Sequence, residues 1–467
     1  MKFRANKVIE LRNMKAVLPL LVLLTLSLVL SSCKETNSPL PPTAELENNS
    51  KLHPVSFWVA TDTHYLDKDL QDGGQAFQSY VTGGDGKMLP YSEEIAESLV
   101  YDIEQQKPEF IILSGDLTNN GERSSHEKLA QKLNRIENSG TSVYVIPGNH
   151  DLFNPWARSF KGDKQIKAES ITDKEFMQMY GEFGYNDAIS RDKETLSYVS
   201  EAAPNLWLLM IDSSQYNNNQ KYGFPQTDGQ IPASTLAWIE NSVKLAAKEH
   251  ASIITVMHHN LLSHTSMDVS GFKLNNSQDT LKLFRKNGLN LVLSGHIHMQ
   301  DIRRDPAIDS AEETPIYDIA TSAMAVNPHQ YGAMTFDPVS RTVNYKATPL
   351  NVEGWAQANG ITDPNLLQFK SYAEDTFSKD SYNKAMKGLM ESTFTASEKE
   401  SMATVMAMLN VRYFAGTAGS SSRDIKSMDG YKLWESVQSG FLAEYIQSMA
   451  ADKEPSNVSL QVTLTKQ

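Results

Sequence analysis

Five short polar clusters in this 467-residue sequence carry residue types that bind metals or transfer protons. Imidazole nitrogens combined with carboxylate and amide oxygens suit Mn, Fe, Zn or Co better than Cu(I) or an iron-sulfur cluster. One such cluster occurs by chance in many proteins, but five in order, each after an apolar run, predict a metal site. The clusters are D-x-H at Asp62 and His64, G-D-x-T at Asp116, G-N-H-D at Asn149, His150 and Asp151, H-H-N at His258 to Asn260, and G-H-x-H at His296 and His298.

The elements that must position these clusters are apolar runs with the length and composition of buried strands. Helical patterns lie between several of the runs, at residues 92–106 and 236–248. This alternation predicts an α/β layered domain, in which ligands bind at the carboxyl ends of the strands, where the clusters fall. The runs are VSFWVA, EFIILS, SVYVIP, LWLLMI, SIITVM and LNLVLS.

The pattern changes after about Leu350. Residues 365–389, 396–414 and 431–451 have helical patterns without a strand run, and GTAGSSSRD at 416–424 is predicted to be a loop between helices. We therefore expect a catalytic domain at 53–351 and an all-helical C-terminal domain at 352–467.

The N-terminus predicts the compartment. Basic residues precede an apolar stretch at 16–30, which is typical of a signal peptide and shorter than the roughly 20 residues that span a bilayer. LSSC at 30–33 resembles the bacterial lipobox, which implies a lipoprotein signal peptide at 1–33 and lipidation of Cys33. The alternative is an ordinary secretory cleavage site with an unmodified cysteine. Residues 34–52 read as a flexible tether, so we expect a lipid-anchored protein at the extracytoplasmic membrane surface.

The charge balance argues against one class of partner. A net charge of -13 would repel a long polyanion, so nucleic acid is not an expected partner. The sequence leaves the oligomeric state open.

The ordered set of clusters resembles the pattern of the calcineurin-like metallophosphoesterase superfamily, which is D-x-H, G-D, G-N-H-[DE], H and G-H-x-H. The resemblance covers about residues 55–351 and implies a β-sandwich flanked by helices, two divalent ions with Mn or Fe favoured, and hydrolysis of a phosphate ester. It also implies the ligand sets: Asp116 as the bridge, with Asp62, His64 and His298 at the first ion and Asn149, His258 and His296 at the second.

Two further roles follow from the resemblance. His150 is expected beside the scissile phosphate, to stabilise the transition state or protonate the leaving oxygen, with Asp151 orienting its imidazole. Within MHHN we favour His258 as the ligand, and His259 is the alternative. The remaining histidines are expected to make local bonds, although His264 could reach the rim of the pocket.

The spacing of the clusters and GDLTNNGE at 115–122 resemble the cyclic nucleotide phosphodiesterase branch of the superfamily. We therefore expect a small-molecule phosphate diester as substrate, with 3',5'-cyclic nucleotides favoured. The alternatives are a phosphomonoesterase or nucleotidase, a glycerophosphodiesterase, and a binding lipoprotein without activity. The last of these predicts the loss of a ligand residue, and none is lost here.

Overall fold

The computed structural model describes residues 53–267, 269–305, 314–451 and 456–467. The predicted signal peptide with Cys33 and the predicted tether lie outside the described residues. Within these ranges, no helix combines the length and the apolar character that crossing a bilayer requires.

All six predicted strands are present in the structure, and they belong to two mixed sheets. The first sheet has the order β15-β14-β13-β1-β2-β3 and the second has the order β11-β12-β10-β9-β8-β7-β6. A short hairpin is formed by β4 and β5. The strands are β1 Val55–Ala60, β2 Phe110–Ser114, β3 Ser142–Ile146, β4 Arg158–Lys161, β5 Lys164–Lys167, β6 Ser190–Arg191, β7 Tyr198–Ala203, β8 Leu206–Ile211, β9 Ser252–Met257, β10 Leu291–Ser294, β11 Asp301–Arg304, β12 Tyr317–Ala320, β13 Gln330–Asp337, β14 Thr342–Pro349 and β15 Ser459–Thr463.

The two sheets pack face to face, and the alternation of side chains along β9 shows how. Ile254 and Val256 join the core cluster that also contains strand residues of the first sheet, such as Phe57. Ile253 and Met257 point to the opposite face and pack in a second cluster with residues of the helices outside the second sheet. The β-sandwich flanked by helices that the family resemblance implied is therefore confirmed.

The helices cover the outer faces of the sandwich and form the region after it. The helix predicted at 92–106 is present as Ser92–Gln106, and the helix predicted at 236–248 lies within the helix Ala233–Lys248. The helices are α1 Gln75–Thr82, α2 Ser92–Gln106, α3 Arg123–Asn138, α4 Asp173–Tyr180, α5 Asn219–Tyr222, α6 Ala233–Lys248, α7 Ser277–Lys286, α8 Val352–Ala358, α9 Pro364–Leu367, α10 Phe369–Gly388, α11 Ala396–Phe414, α12 Ala418–Lys426, α13 Asp429–Ser436 and α14 Phe441–Ala450.

The C-terminal region is helical as predicted, with two departures. Residues 416–424 were expected to form a loop, but most of them belong to α12. The region is also not entirely helical, because β15 pairs antiparallel with β14 at the edge of the first sheet. β15 has only five residues and a mostly polar sequence, so its strand state depends on pairing with an edge that the sequence does not reveal.

The helical region shares its core with the G-H-x-H segment. Ile297 and Met299, which alternate with the two histidines of that segment, pack in a cluster with Leu409 and Tyr413 of α11. The backbone N–H of Gln300 donates to the carbonyl oxygen of Phe414 at 3.1 Å. The helices therefore hold the loop that carries His296 and His298.

His264 lies at the same junction, buried between two carboxylates. Its Nδ1 is 2.8 Å from Oδ2 of Asp301 and its Nε2 is 3.2 Å from Oδ2 of Asp318, so both ring nitrogens face these acids and not the metal centre. The carbonyl oxygen of His264 accepts hydrogen bonds from Tyr413 and from Arg303. Burial lowers the pKa of His264, but Asp318 and Asp301 outweigh burial and raise the pKa to about 9.

We predict that His264→Gln destabilises the protein in a pH-dependent manner. Because the pKa is raised on folding, the protonated imidazole contributes its full stabilisation below about pH 6.5, and this contribution is lost as the pH rises through about 9. The loss should be on the order of 3 kcal/mol at pH 6 and should shrink toward pH 9.5. Urea unfolding at several pH values measures it, with exposed His53→Gln as the control. A difference that is constant with pH would contradict the prediction.

Candidate metal centre

The parallel strands bring the five polar clusters to one edge of the sandwich. β1, β2 and β3 are neighbours in the first sheet, and they end just before Asp62, Asp116 and Asn149. β9 and β10 are parallel neighbours in the second sheet, and they end just before His258 and His296. Carboxyl ends of parallel strands meet at a common edge, so residues more than 230 positions apart in sequence, such as His64 and His298, come into contact there.

The backbone at these strand ends is strained. Five of the candidate ligands there are non-glycine residues with φ in the left-handed region, which costs on the order of 1 to 3 kcal/mol at each position. Such strain persists only where the surroundings enforce it, and it collects at functional sites. The residues and their φ values are Asp62 at 50°, His64 at 39°, Asp116 at 48°, His296 at 71° and His298 at 62°.

Two glycines allow the strand ends to approach each other. A Cβ on Gly148 would lie 2.2 Å from the backbone nitrogen and from Oδ1 of Asp116. A Cβ on Gly295 would lie 2.0 Å from Oγ1 of Thr61. The glycine before Asn149 and the glycine before His296 are therefore required because no side chain fits between the two loops.

The first group of candidate ligands is Asp62, His64 and His298. Nε2 of His64 and Nε2 of His298 are 3.0 Å apart, and they lie 3.6 Å and 3.4 Å from Oδ1 of Asp62. The other carboxylate oxygen of Asp62 accepts hydrogen bonds from Thr61 Oγ1 and from the N–H of His296. Oδ1 is thus the oxygen that remains for an ion, and it points at the two imidazoles.

The second group is Asp116, His258 and His296, with Asn149 beside it. Nε2 of His258 lies 3.2 Å from Oδ2 of Asp116 and 3.1 Å from Oδ1 of Asn149. Nδ1 of His258 contacts the carbonyl oxygen of Ser114, which fixes the ring so that Nε2 faces the site. Nε2 of His296 contacts the carbonyl oxygen of Gly271, so Nδ1 is the nitrogen that His296 presents.

Asp116 lies between the two groups. Its Oδ1 accepts a hydrogen bond from the backbone N–H of His150 at 2.8 Å. Its Oδ2 is 3.2 Å from Nε2 of His258 and 3.8 Å from Nε2 of His64, so one carboxylate oxygen faces both groups. This is the position that the resemblance assigned to a bridging ligand.

The electrostatics of the centre follow from burial of two carboxylates among several imidazoles. Burial alone would raise the pKa of Asp62 and of Asp116, but the surrounding histidines outweigh it and hold both pKa values well below the ordinary value. Burial lowers the pKa of His258, but Asp116 raises it to about 9. Burial also lowers the pKa of His64 and of His296 to about 4. The site therefore presents ionised carboxylates and, at His64 and His296, neutral imidazoles, which are the protonation states in which these groups bind metals.

An unpartnered atom tests whether these residues fit a metal ion. Oδ1 of Asp62 is buried and accepts no hydrogen bond from any residue that the structure describes, which is a costly arrangement for a carboxylate oxygen. A divalent ion between Asp62, His64 and His298 would satisfy this oxygen. The His and Asp residues of both groups are therefore placed to bind metals, with the ligand atoms of each group within 4.8 Å of one another.

The side chains of His150 and Asp151 occupy different environments. The prediction that Asp151 orients the imidazole of His150 is wrong, because each side chain has other partners. Nδ1 of His150 is 2.8 Å from the carbonyl oxygen of Asn119 and 3.1 Å from Oδ1 of Asn120, so these residues orient the imidazole. Nε2 is left facing the site, 4.0 Å from Oδ2 of Asp116. Burial lowers the pKa of His150 to about 3, with Asp116 opposing the shift.

The buried carboxylate of Asp151 instead ties two loops together. Its oxygens accept hydrogen bonds from the backbone N–H groups of Gly148, Leu117 and Thr118 and from the hydroxyl of Thr118. Burial and the nearby Asp116 raise the pKa of Asp151 to about 7. An acid directly after a histidine in sequence suggested a side-chain pair, but the turn at this position directs the two side chains apart.

The structure also distinguishes the two adjacent histidines of MHHN. Nδ1 of His259 contacts Ser213 Oγ at 2.9 Å and Nε2 contacts the carbonyl oxygen of Thr227 at 3.2 Å. Both ring nitrogens of His259 therefore have protein partners, whereas Nε2 of His258 faces Asp116. The geometry favours His258 as the ligand.

Sequence reasoning missed the polar residues on the far side of His150. Lys87 has a side chain only 9% exposed, pairs with Asp85 at 3.2 Å, and precedes Met88, whose N–H donates to Ala325. The hydroxyl of Tyr80 accepts hydrogen bonds from the amides of Asn119 and Asn120. The signal available in the sequence was TGGDGK at 82–87, a glycine-rich segment carrying an acid and a base, but nothing in it indicated proximity to the metal centre.

Comparison with known proteins finds two family models that match this chain. A family model described as "Calcineurin-like phosphoesterase" matches residues 55–300, and one described as "C-terminal domain of cyclic nucleotide phosphodiesterase" matches residues 351–455.

Three relatives illustrate the likeness. A protein of Nostoc sp. named 3',5'-cyclic-nucleotide phosphodiesterase is 25% identical over 259 residues, which is 55% of this chain and 75% of the relative. A probable cyclic nucleotide phosphodiesterase of Moraxella catarrhalis is 20% identical, over 47% of this chain and 68% of the relative. A crystal structure of a dimetal phosphatase from Danio rerio has 13% identity and a TM-score of 0.43, and the match covers 63% of this chain and 96% of that one.

The first family match spans the strands and loops that carry all the candidate ligands, and the second spans the helices that hold the G-H-x-H segment. The superfamily resemblance found in the sequence is confirmed, and the region after residue 350 is similar to a domain described for cyclic nucleotide phosphodiesterases. The protein is a phosphoric ester hydrolase, and the chain belongs to the calcineurin-like phosphoesterase family.

Proposed function

We propose that the protein hydrolyses phosphate diesters, with 3',5'-cyclic nucleotides as its substrates. The observation that carries this proposal is the match of residues 351–455 to the C-terminal domain of cyclic nucleotide phosphodiesterases, next to the phosphoesterase match. The relatives named as cyclic nucleotide phosphodiesterases support the same substrate class.

We further propose that the centre holds two divalent ions, with Mn or Fe favoured. Asp62, His64 and His298 would hold one ion, and Asn149, His258 and His296 would hold the other, with Asp116 between them. Bound there, the ions would supply an activated water and neutralise charge on the phosphoryl oxygens. The unpartnered Oδ1 of Asp62 and the orientation of Oδ2 of Asp116 support this assignment.

The role proposed for His150 follows from how its ring is held. Nδ1 donates to the carbonyl oxygen of Asn119, so Nε2 is the atom presented to the substrate. With the ring protonated, the Nε2–H would donate to an oxygen of the scissile phosphate or to the leaving oxygen, to stabilise charge or transfer a proton. Asp151 acts as a positioning residue, since it holds the loops that carry Asp116 and Asn149.

A substrate panel tests the proposed reaction. We expect the metal-loaded protein to hydrolyse cAMP and bis(p-nitrophenyl) phosphate and to leave p-nitrophenyl phosphate and 5'-AMP largely intact, because the site is proposed to act on diesters. Initial rates measured side by side at equal enzyme concentration provide the comparison. Faster hydrolysis of the two monoesters would indicate a phosphatase or nucleotidase. Hydrolysis of bis(p-nitrophenyl) phosphate but not of cAMP would contradict the assignment of cyclic nucleotides as substrates.

Three variants separate metal binding from catalysis and from folding. Asp116→Asn should bind fewer than two ions and lose turnover. His150→Ala should keep its metal and stability, with kcat lowered about 100-fold or more. Asp151→Ala should lose about 3 kcal/mol of stability, because buried N–H groups lose their acceptor. Metal analysis, thermal melts and kinetics on the same preparations give the three readouts. Full activity in a variant with fewer than two ions would refute the dinuclear centre.

We also propose that the protein is held at the extracytoplasmic membrane surface through a lipid on Cys33. Support comes from the sequence of residues 1–33 alone. In a bacterial host, the full-length protein is expected in the membrane fraction and Cys33→Ser in the soluble or unprocessed fraction. Mass spectrometry of the N-terminal peptide should detect acyl chains on Cys33. An unmodified cysteine in a soluble, processed protein would favour the ordinary secretory site.

A further inference from the structure

A cavity of about 440 Å³ opens beside His150, outside both groups of candidate ligands. This volume lies within the range of about 300 to 1,000 Å³ that is typical of small-molecule sites. The cavity is formed by the end of α1, the glycine-rich segment after it, the loop after β2 and the loop that leads to β4. The lining residues used below are Tyr80, Lys87, Asn119, Asn120, His150 and Trp156.

Lys87 places a positive charge between this cavity and the metal centre. Its side chain is 9% exposed, and its ammonium group lies 3.2 Å from Asp85, whose carboxylate is 3.9 Å from Nδ1 of His298. The segment is fixed, because the N–H of Met88 donates to the carbonyl oxygen of Ala325 at 2.7 Å, and the N–H of Ala325 donates to the backbone carbonyl oxygen of Asp62 at 3.2 Å. A cation held beside a phosphoryl-binding centre is suited to a phosphate oxygen.

The floor of the cavity is connected to the imidazole that faces the substrate. The hydroxyl of Tyr80 accepts hydrogen bonds from the amides of Asn119 and Asn120 at 3.1 and 2.9 Å. Oδ1 of Asn120 in turn lies 3.1 Å from Nδ1 of His150. A ligand in this cavity therefore lies next to the residues that orient His150.

Trp156 forms the rim of the cavity. Trp156 is 42% exposed. Its backbone N–H donates to the side-chain oxygen of Asn154, and the side-chain amide of Asn154 donates to the carbonyl oxygen of His150. A large aromatic side chain partly open to solvent at the mouth of a cavity is suited to stacking on a planar base.

We propose that this cavity is the nucleoside subsite of the enzyme, in which Trp156 stacks on the base and the ammonium group of Lys87 contacts a phosphate oxygen of the same ligand. The inference rests on the proposed nucleotide substrate and adds the residues that would select it. Lys87 and Trp156 act in binding and positioning.

Isothermal titration calorimetry on the full-length, metal-loaded protein tests the subsite without turnover. The ligands are 5'-AMP, ribose 5-phosphate, which lacks the base, and inorganic phosphate. The wild type should bind 5'-AMP about tenfold more tightly than ribose 5-phosphate, as expected for one base stacked on an aromatic ring. Equal affinity for these two ligands would overturn the proposal.

Variants assign the two contacts. Trp156→Ala should raise the Kd of 5'-AMP about tenfold and leave ribose 5-phosphate and phosphate at their wild-type values, and Trp156→Phe should restore binding. Lys87→Met should raise the Kd of all three ligands about tenfold. Phe224→Ala, an exposed aromatic residue outside the cavity lining, is the matched control and should change none of them. Metal content and melting temperature confirm that each variant is intact.

The outcomes separate this proposal from the proposed function. If Trp156→Ala weakens all three ligands equally or none of them, or if Lys87→Met leaves phosphate binding unchanged, the subsite is wrong even where the wild type hydrolyses cAMP. If the selective effect on 5'-AMP is found in a protein that does not hydrolyse cAMP, the subsite stands and the cyclic nucleotide assignment fails.

Discussion

Burial of two carboxylates at the edge of the sandwich is the constraint on which the rest of the site depends. Asp62 and Asp116 are almost fully buried, and an ionised carboxylate out of water is costly unless positive charge and hydrogen bonds balance it. Part of that balance comes from backbone N–H groups and from His258, whose pKa is raised to about 9 by Asp116. Oδ1 of Asp62 accepts no hydrogen bond within the described residues, and this is the strongest structural indication of a cation.

Holding these charges in place requires strain and close packing that the surrounding elements must enforce. Five of the seven candidate ligands adopt left-handed φ values, and Gly148 and Gly295 allow the loops to contact each other. The carboxylate of Asp151 connects the loop after β3 to the loop after β2, because it accepts hydrogen bonds from backbone N–H groups in both loops. On the other sheet, Ile297 packs into the core of the C-terminal helices. The helical region is thus part of the scaffold of the metal centre as well as a neighbour of it.

The sequence predicted the strands that are marked by their own apolar side chains. It did not predict the strands that form only because they pair with another strand. The six apolar runs are buried strands in the structure, because a continuous run of Val, Ile and Leu fits a strand covered on both faces. β4, β5 and β15 are short and largely polar, and they depend on partners distant in sequence or on an exposed hairpin. The helix at Ala418–Lys426 was missed because its glycine and serines favour loops when considered locally.

The sequence by itself determined the family and the identity of the candidate ligands, since these depend on residue types in a fixed order after apolar runs. Only the tertiary structure decided which atoms face the ions. In the structure, Nε2 of His258 faces Asp116, whereas Nδ1 of His259 contacts Ser213. The imidazole of His150 is oriented by the carbonyl oxygen of Asn119 and not by Asp151. The tertiary structure also placed Lys87 and Trp156 beside the centre. The reason is physical: ring orientation and proximity depend on long-range hydrogen bonds and packing, which residue order does not encode locally.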